Sequence, residues 1–433
     1  MEEILKKKIE DRTAIVGVIG VGYIGLSLLE AYGNAGFQLR GFDVSQERME
    51  LLNRRKSYLN FMPLTSLFKL MDEGRFKASS NPDVLDDADI LVISVPTTLD
   101  EYHNPDLTNL RAAFKTVRSH LKKDQLVILQ SSTYPGTTEE ELLPLLASEN
   151  FKVGEDFFLA HVPEIADPGN EKFSFSQIPR IVSGITPRCL ELAAMLYESL
   201  GCETFKVSSP KVAEAAKLLQ NGYRLVNISF INEMKVMLEK MGIDVWEVIE
   251  AADSKPFGFQ RFNPSPGAGG DCIPIAPFYM VWKARATKGP TTLLDLSGHI
   301  NDKMPLYTFN KIAEGLNEKG LPVKGSKVLV LGVSYKRNVN DTRESPAIDI
   351  LRFLKEHGAE VEYNDPYVEQ LKRVDMKNTP LDYDKLDKYD AVVIATDHDS
   401  YQWEKVLKNS SLIIDCRNAL GELEGTKSKV IKA

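Results

Sequence analysis

Ala14-Ile15-Val16-Gly17-Val18-Ile19-Gly20-Val21-Gly22-Tyr23-Ile24-Gly25 is an apolar, β-branched run that breaks into the spacing GxGxxG. From Tyr23 to Ala35, Ile24, Leu28, Leu29 and Tyr32 then recur at helical spacing, which predicts a strand, a tight turn and a helix. Each glycine meets a different need. Gly20 permits the turn, Gly22 lets the backbone approach a pyrophosphate, and Gly25 allows the helix to pack closely on the strand. Tyr23 and Ile24 open the helix whose N-terminus favours phosphate charge. A second strand, Gln38 to Phe42, ends at Asp43. A carboxylate there suits the hydroxyls of an adenosine ribose and repels a 2′-phosphate, so the pattern predicts NAD as cofactor, with nearby Arg48 leaving NADP as the alternative.

Farther along the chain, buried-strand candidates lie at Ile90 to Ser94, Leu126 to Gln130 and Phe157 to His161, separated mostly by helical stretches. Such alternation predicts a parallel, doubly wound sheet for roughly the first 200 residues. From Pro210 to about Met241 the apolar stripe Val212, Ala215, Ala216, Leu219, Val226, Ile231 and Met234 predicts a long helix connecting two domains. Asp253 to Pro277, rich in Gly, Pro and Phe, reads as an ordered loop, with more helix through about Leu316. At Lys327 the alternation resumes with KVLVLG. Ser345-Pro346 then caps and opens a helix to His357, Gly358 stops it, and strands follow at Glu360 to Asn364, Ala391 to Ala395 and Leu412 to Asp415. The expectation is an α/β protein of two Rossmann-like doubly wound domains joined by a long central helix, divided at 1–208, 209–318 and 319–433.

The 433 residues are enough for two or three domains, and 43% apolar with 26% charged residues is a globular composition without a membrane-spanning run. A net charge of −8 disfavours a nucleic-acid partner. The charged N-terminus MEEILKKKIEDR lacks the features of a secretory signal, which predicts a cytoplasmic protein. Cys189, Cys202, Cys272 and Cys416 lie far apart, neither a disulfide framework nor a metal set, and the six histidines form no ligand-spaced cluster, so no metal is expected.

Two loops that follow predicted strands, Val95-Pro96-Thr97-Thr98 and Ser131 to Thr138, fall where α/β sheets bind ligands, and Pro96, Thr97, Ser132 and Thr133 are candidate cofactor contacts. Taken alone, either loop also reads as an ordinary proline turn. Lys217 and Asn221 stand four apart on one face of the long helix among apolar neighbours. There they could serve a substrate oxyanion, or form an ordinary salt bridge with Glu214. Cys272, in Gly269-Gly270-Asp271-Cys272-Ile273-Pro274, sits where glycines allow close backbone approach, which suits a nucleophile as well as a buried inert thiol.

In order along the chain, GVIGVGYIGLSLL, VPTTL, SSTYPGTT, VPEIADPGN, AEAAKLLQNGYRLVNISFINE, KPFGFQRFNPSPGAGGDCIPIAPFYMVWKAR, LGVSYKRNVNDTRESPA and ATDHDSY resemble the UDP-glucose/GDP-mannose dehydrogenase family over almost the whole chain, and its UDP-N-acetylhexosamine branch most of all. The resemblance implies an N-terminal NAD domain, a central helix used in dimerisation and a C-terminal UDP-binding domain. It also implies NAD-dependent oxidation of a UDP-sugar at C6 to a uronic acid for surface polysaccharide, through Cys272 as covalent nucleophile. By the same resemblance Lys217 and Asn221 match the family's oxyanion donors, Glu164 its acid/base residue and Thr133 a hydroxyl near the nicotinamide. Lys255, Phe259, Gly269 and Arg343 match contacts to the nucleotide sugar or across the subunit interface. The chain departs from the family pattern GGHCIPxDP with Asp271 for the histidine and Ala276 for the aspartate, and it has Ser131 where glutamate is common. Ala276 favours the alternative of an impaired or non-catalytic relative that binds NAD and a UDP-sugar. A two-electron dehydrogenase indifferent to Cys272 is a third reading.

Overall fold

A computed structural model describes residues 2–59, 62–165, 173, 175–421, 423 and 429–433. The chain divides into two compact units, residues 1–220 with 278–289 and residues 221–277 with 290–433.

In the first unit eight strands form one sheet, ordered Thr204–Lys206, Arg180–Gly184, Phe158–His161, Leu126–Leu129, Ile90–Ile93, Ile15–Ile19, Gln38–Phe42 and Phe76–Ser79. The apolar runs picked out in the sequence occupy its centre, where every residue of Ile90–Ile93, Leu126–Leu129 and Phe158–His161 is buried. Such continuous burial is what a sheet covered on both faces demands. Pairing is parallel except between Phe158–His161 and Arg180–Gly184, which run antiparallel. After Ile15–Ile19 the chain builds one side of the sheet and then crosses back to add Ile90–Ile93 on the other. The loops after Ile19 and Ile93 therefore flank the switch point, the crevice where such sheets receive ligands. The helix Tyr23–Asn34 buries Leu26, Leu28, Leu29 and Tyr32 against the sheet, each side chain contributing about 1.5–3 kcal/mol.

The N-terminal stretch, read from sequence only as charged, forms the helix Glu2–Glu10, whose Leu5 and Ile9 join the same core. Lys8 Nζ meets Asp89 at 2.7 Å, and Asp89 also accepts from the backbone N–H of Ile15 at 3.0 Å. This ties the helix to the start of the central strand.

The helix Pro210–Lys240 spans 31 residues. Val245–Asp253, Ala276–Ala286 and Thr292–Glu318 follow as helices, with the expected irregular loop between the first two. The second unit holds a five-stranded, wholly parallel sheet ordered Glu360–Asn364, Lys327–Leu331, Ala391–Ile394, Leu412–Asp415 and Lys429–Lys432. The last of these strands lies beyond those read from the sequence. Ser345 occupies the cap position before the helix Pro346–Glu356 as predicted, but its hydroxyl makes no capping bond.

The two sheets repeat one construction. Gly20 donates to Phe42 O at 2.8 Å and Gly332 to Asn364 O at 2.9 Å. Val21 N–H meets Asp43 Oδ2 at 2.8 Å, and Val333 N–H meets Asp365 Oδ2 at 2.7 Å. Ser334 and Arg337 stand in the second half where Gly22 and Gly25 stand in the first, so only the first turn keeps the glycine spacing of a dinucleotide site.

Candidate active site

Gly20 lies at φ +92°, and a Cβ there would stand 2.3 Å from Ser94 O. A Cβ on Gly25 would fall 2.0 Å from Gly20 O, so the turn and helix close only without side chains. Gly22, which precedes the helix, would meet nothing within 4 Å. Its backbone thus faces open space at the helix N-terminus, as a pyrophosphate requires. Tyr23 and Ile24 begin the helix and pack partly on the core. Asp43 is buried and accepts from Val21 N–H and from Ser45 N–H at 2.9 Å. The Arg48 guanidinium lies 3.7 Å from its carboxylate and 5.8 Å above the Tyr58 ring, and the Tyr58 hydroxyl donates to Val21 O. Tyr58, unmarked by any motif, thus joins the ribose end of this turn.

Across the crevice, Thr97 Oγ1 donates to Ser132 O at 2.8 Å, and the Ser131 hydroxyl donates to Val95 O at 2.8 Å while accepting from Val95 N–H at 3.0 Å. The two proline-containing loops are therefore one structure. Ser131, a departure from the family pattern, is its fastener. Pro96 is exposed beside Thr97. Thr133 is buried, and its Oγ1 has no hydrogen-bond partner among the described residues. A buried hydroxyl left in that state costs roughly 1–3 kcal/mol, which a ligand or water accepting its proton would relieve. The loop is anchored from the long helix by Glu214, which accepts from Gly136 N–H at 2.5 Å, Thr138 N–H at 2.9 Å and Thr138 Oγ1 at 2.7 Å. Burial pushes the Glu214 carboxyl up to about 7. Because these bonds occupy it, the ordinary Lys217–Glu214 salt bridge is not what holds Lys217.

Lys217 and Asn221 are both buried on Pro210–Lys240, one turn apart as the spacing predicts. Asn221 Nδ2 has no partner among the described residues. Glu164 follows the strand Phe158–His161 and is also buried. It is held by Gln130 Nε2 and by Arg180 Nη1 at 3.2 Å. Gln130 Oε1 accepts from Tyr197 OH at 2.9 Å, and the Arg180 guanidinium lies 3.9 Å above the Phe175 ring. Sequence reasoning missed Gln130, Arg180 and Tyr197. The only available signal was a polar residue ending an apolar strand. The Asp167 to Asn170 part of the motif around Glu164 lies outside the described residues.

In the second unit Cys272 is exposed, whereas Cys189, Cys202 and Cys416 are buried. Its loop is tied down by two buried asparagines. Asn232 Oδ1 accepts from Ser265 N–H at 2.9 Å, and Asn301 Oδ1 accepts from Ala268 N–H at 2.7 Å. A Cβ on Gly269 would stand 2.6 Å from Glu344 O, so this glycine is required by close approach. Ala276, the first residue of Ala276–Ala286, donates its N–H to Cys272 O at 3.1 Å and is 1% exposed. Arg343 pairs with Asp271 and Asp341. Lys255 is exposed with its ammonium 4.7 Å above the Phe257 ring, and Phe259 lines a groove of about 390 Å³ with Tyr223, Phe230 and Phe262.

Family models of the UDP-glucose/GDP-mannose dehydrogenases match this chain in three stretches: the NAD binding domain at residues 14–201, the central domain at 211–303 and the UDP binding domain at 329–422. Over 419 residues the chain is 34% identical to Protein CapL of Staphylococcus aureus, covering 94% of this chain and 97% of that one. It is 33% identical over 391 residues to a UDP-N-acetyl-D-glucosamine 6-dehydrogenase of Pseudomonas aeruginosa, covering 89% and 91%. The solved structure of a UDP-D-ManNAc dehydrogenase from Pyrococcus horikoshii superposes with a TM-score of 0.86 at 29% identity, covering 96% of this chain and 99% of that one. No helix among the described residues is long and apolar enough to cross a membrane. A glycine turn shaped for a dinucleotide, together with these three matched domains, makes the chain an NAD-dependent oxidoreductase that belongs to the UDP-glucose/GDP-mannose dehydrogenase family.

Proposed function

We propose that this protein oxidises the C6 hydroxymethyl group of a UDP-N-acetylhexosamine, UDP-N-acetylglucosamine foremost, to the carboxylate by a four-electron reaction in the cytoplasm, supplying a uronic acid for surface polysaccharide. The observation that carries this reading is Asn221 Nδ2, a buried donor with no partner among the described residues, one helical turn from the buried Lys217. Donors held dry and unsatisfied by their own protein suit a charge that develops during reaction. Bound NAD supplies the hydride acceptor for each of two oxidations. The Cys272 thiolate adds to the C6 aldehyde to form a thiohemiacetal, whose oxidation leaves a thioester, and water then releases the carboxylate and regenerates the thiol. Lys217 and Asn221 stabilise the oxyanion, while Glu164 moves protons and orients water with Thr133. Lys255, Phe259, Gly269 and Arg343 contact the nucleotide sugar or the partner subunit. Residues 1–208 hold the cofactor, 209–318 carry the cysteine loop and the subunit interface, and 319–433 hold UDP.

A homodimer through the long helix is supported by the exposed Tyr223, Phe230 and Met237 on it and Met241 just after it, with Leu293 and Leu296 also exposed in the same unit, since apolar groups grouped on a surface mark interfaces. Sedimentation as a monomer at micromolar concentration would remove the dimer from the proposal.

The test is the NADH formed per UDP-N-acetylglucosamine consumed, with UDP-glucose in parallel. Two NADH per sugar is the expected result. A burst of at most two per active site followed by a stall would place a defect at hydrolysis. Binding of cofactor and sugar with no NADH would instead support the non-catalytic reading that Ala276 favours.

A further inference from the structure

We infer that Asp271 and Arg343 form a charged latch that sets where the Cys272 thiol stands, making Asp271 a positioning residue for the nucleophile. The inference rests on the reading of Cys272 as nucleophile and adds a role for a residue at which this chain departs from its family. The Arg343 guanidinium is oriented first by Asp341. Its Nε lies 3.0 Å from both carboxylate oxygens and its Nη2 2.5 Å from Oδ2, while Arg343 N–H donates to Asp341 Oδ1 at 3.0 Å. The remaining edge, Nη1, meets the Asp271 carboxylate. One residue earlier, Gly270 N–H donates to Arg343 O at 2.9 Å. The cysteine turn is therefore strapped to Arg343 twice, by backbone at 270 and by side chain at 271, immediately before the thiol.

The glycines are shaped for this contact. Gly270 lies at φ +81°, and a Cβ there would press the Tyr335 ring at 2.9 Å; Gly269 lies against Tyr335 and Glu344. Glu344 itself holds φ +45°, a conformation that non-glycine residues keep only where their surroundings enforce it. Cys272 is exposed, so close packing does not fix its side chain; its carbonyl accepts from Ala276 N–H on one side, and the strap at 270 and 271 restrains the turn on the other. Asp271 and Arg343 are themselves 29% and 48% exposed, and a pair so open to water adds little to overall stability. What it fixes is position.

The test uses the full-length protein. Asp271→Asn is expected to lower kcat about 10- to 100-fold, the range for a misplaced reacting group, with KM for UDP-N-acetylglucosamine and the melting temperature nearly unchanged. Alkylation of Cys272 by iodoacetamide, read at the high-pH plateau where thiolate fraction no longer matters, is expected to rise severalfold as the turn loosens. The other three thiols are buried and serve as internal controls. In an Arg343→Gln background, Asp271→Asn should change neither readout further, and Asp271→Glu should recover part of kcat. Wild-type alkylation and kcat in Asp271→Asn, or full additivity of the two substitutions, would overturn the latch. Cys272→Ala with undiminished production of two NADH per sugar would sink the underlying reading instead.

Discussion

Ala276→Asp is expected to raise the steady-state rate of uronic acid formation by roughly 10²- to 10⁴-fold, the usual contribution of one positioned acid/base group. Ala276 opens the helix Ala276–Ala286, and its N–H bonds to Cys272 O. A side chain at 276 therefore springs from the turn that carries the thiol. Here the family pattern has aspartate and this chain a methyl group. Of the reaction's stages, the attack of water on a thioester most needs a group to orient water and take its proton. A carboxylate in the first turn is favoured by the helix dipole by about 0.3–1 kcal/mol, which offsets part of the cost of placing it at a site only 1% exposed. Stopped-flow NADH traces separate the stages. The burst should keep its amplitude and rate while the linear phase steepens. A linear phase unchanged by Ala276→Asp would show that other groups already handle the water and that position 276 does not limit turnover.

Arg180→Met should cost about 3–5 kcal/mol of stability, the range for breaking a buried ion pair by removing one partner, and should abolish most activity. Arg180 is fully buried, and Glu164, 3.2 Å from its Nη1, is 9% exposed. Methionine fills much of the volume above Phe175 but takes the guanidinium away from the Glu164 carboxylate, which still accepts from Gln130 Nε2 and from Ile165 N–H. Denaturant unfolding of the double variant Arg180→Met/Glu164→Gln distinguishes the contributions. Neutralising the carboxylate that has lost Arg180 should recover much of the stability while acid formation stays lost, because Glu164 is the proposed proton carrier. Full activity in Arg180→Met would mean that Glu164 needs no fixed position, and unimproved stability in the double variant would mean that the loss came from packing rather than charge.

The parts of this protein legible in its sequence are those whose physics is local. Gly20, Gly22, Gly25 and Asp43 lie within a single strand–turn–helix–strand unit, where backbone sterics alone demand glycine, and the periodic apolar stripe after Pro210 required a helix whatever surrounded it. Not every local signal shows in the composition of its stretch. Leu5 and Ile9, four residues apart, mark a buried helix face within a stretch whose composition is charged. The family likeness supplied Glu164, Lys217 and Cys272 as positions, without the groups that hold them.

Those groups were decided by tertiary structure. Gln130 and Arg180 converge on Glu164 because the strands Leu126–Leu129 and Arg180–Gly184 flank Phe158–His161, with Tyr197 bonded in turn to Gln130, and register, a one-residue matter in any strand, determines which side chains meet. Glu214 reads as a salt-bridge partner for its helical neighbour, yet it receives the backbone of a loop 78 residues earlier. Asp271, a bare departure from a pattern in one dimension, acquires a partner 72 residues away. The central strands, the long helix and the cofactor turn were legible because they depend on neighbours along the chain; the helix Glu2–Glu10 and the strand Lys429–Lys432 were not. Only the tertiary structure decided how each charged group is held, because the energy of a buried charge depends on whichever residues the folded chain brings within a few ångströms.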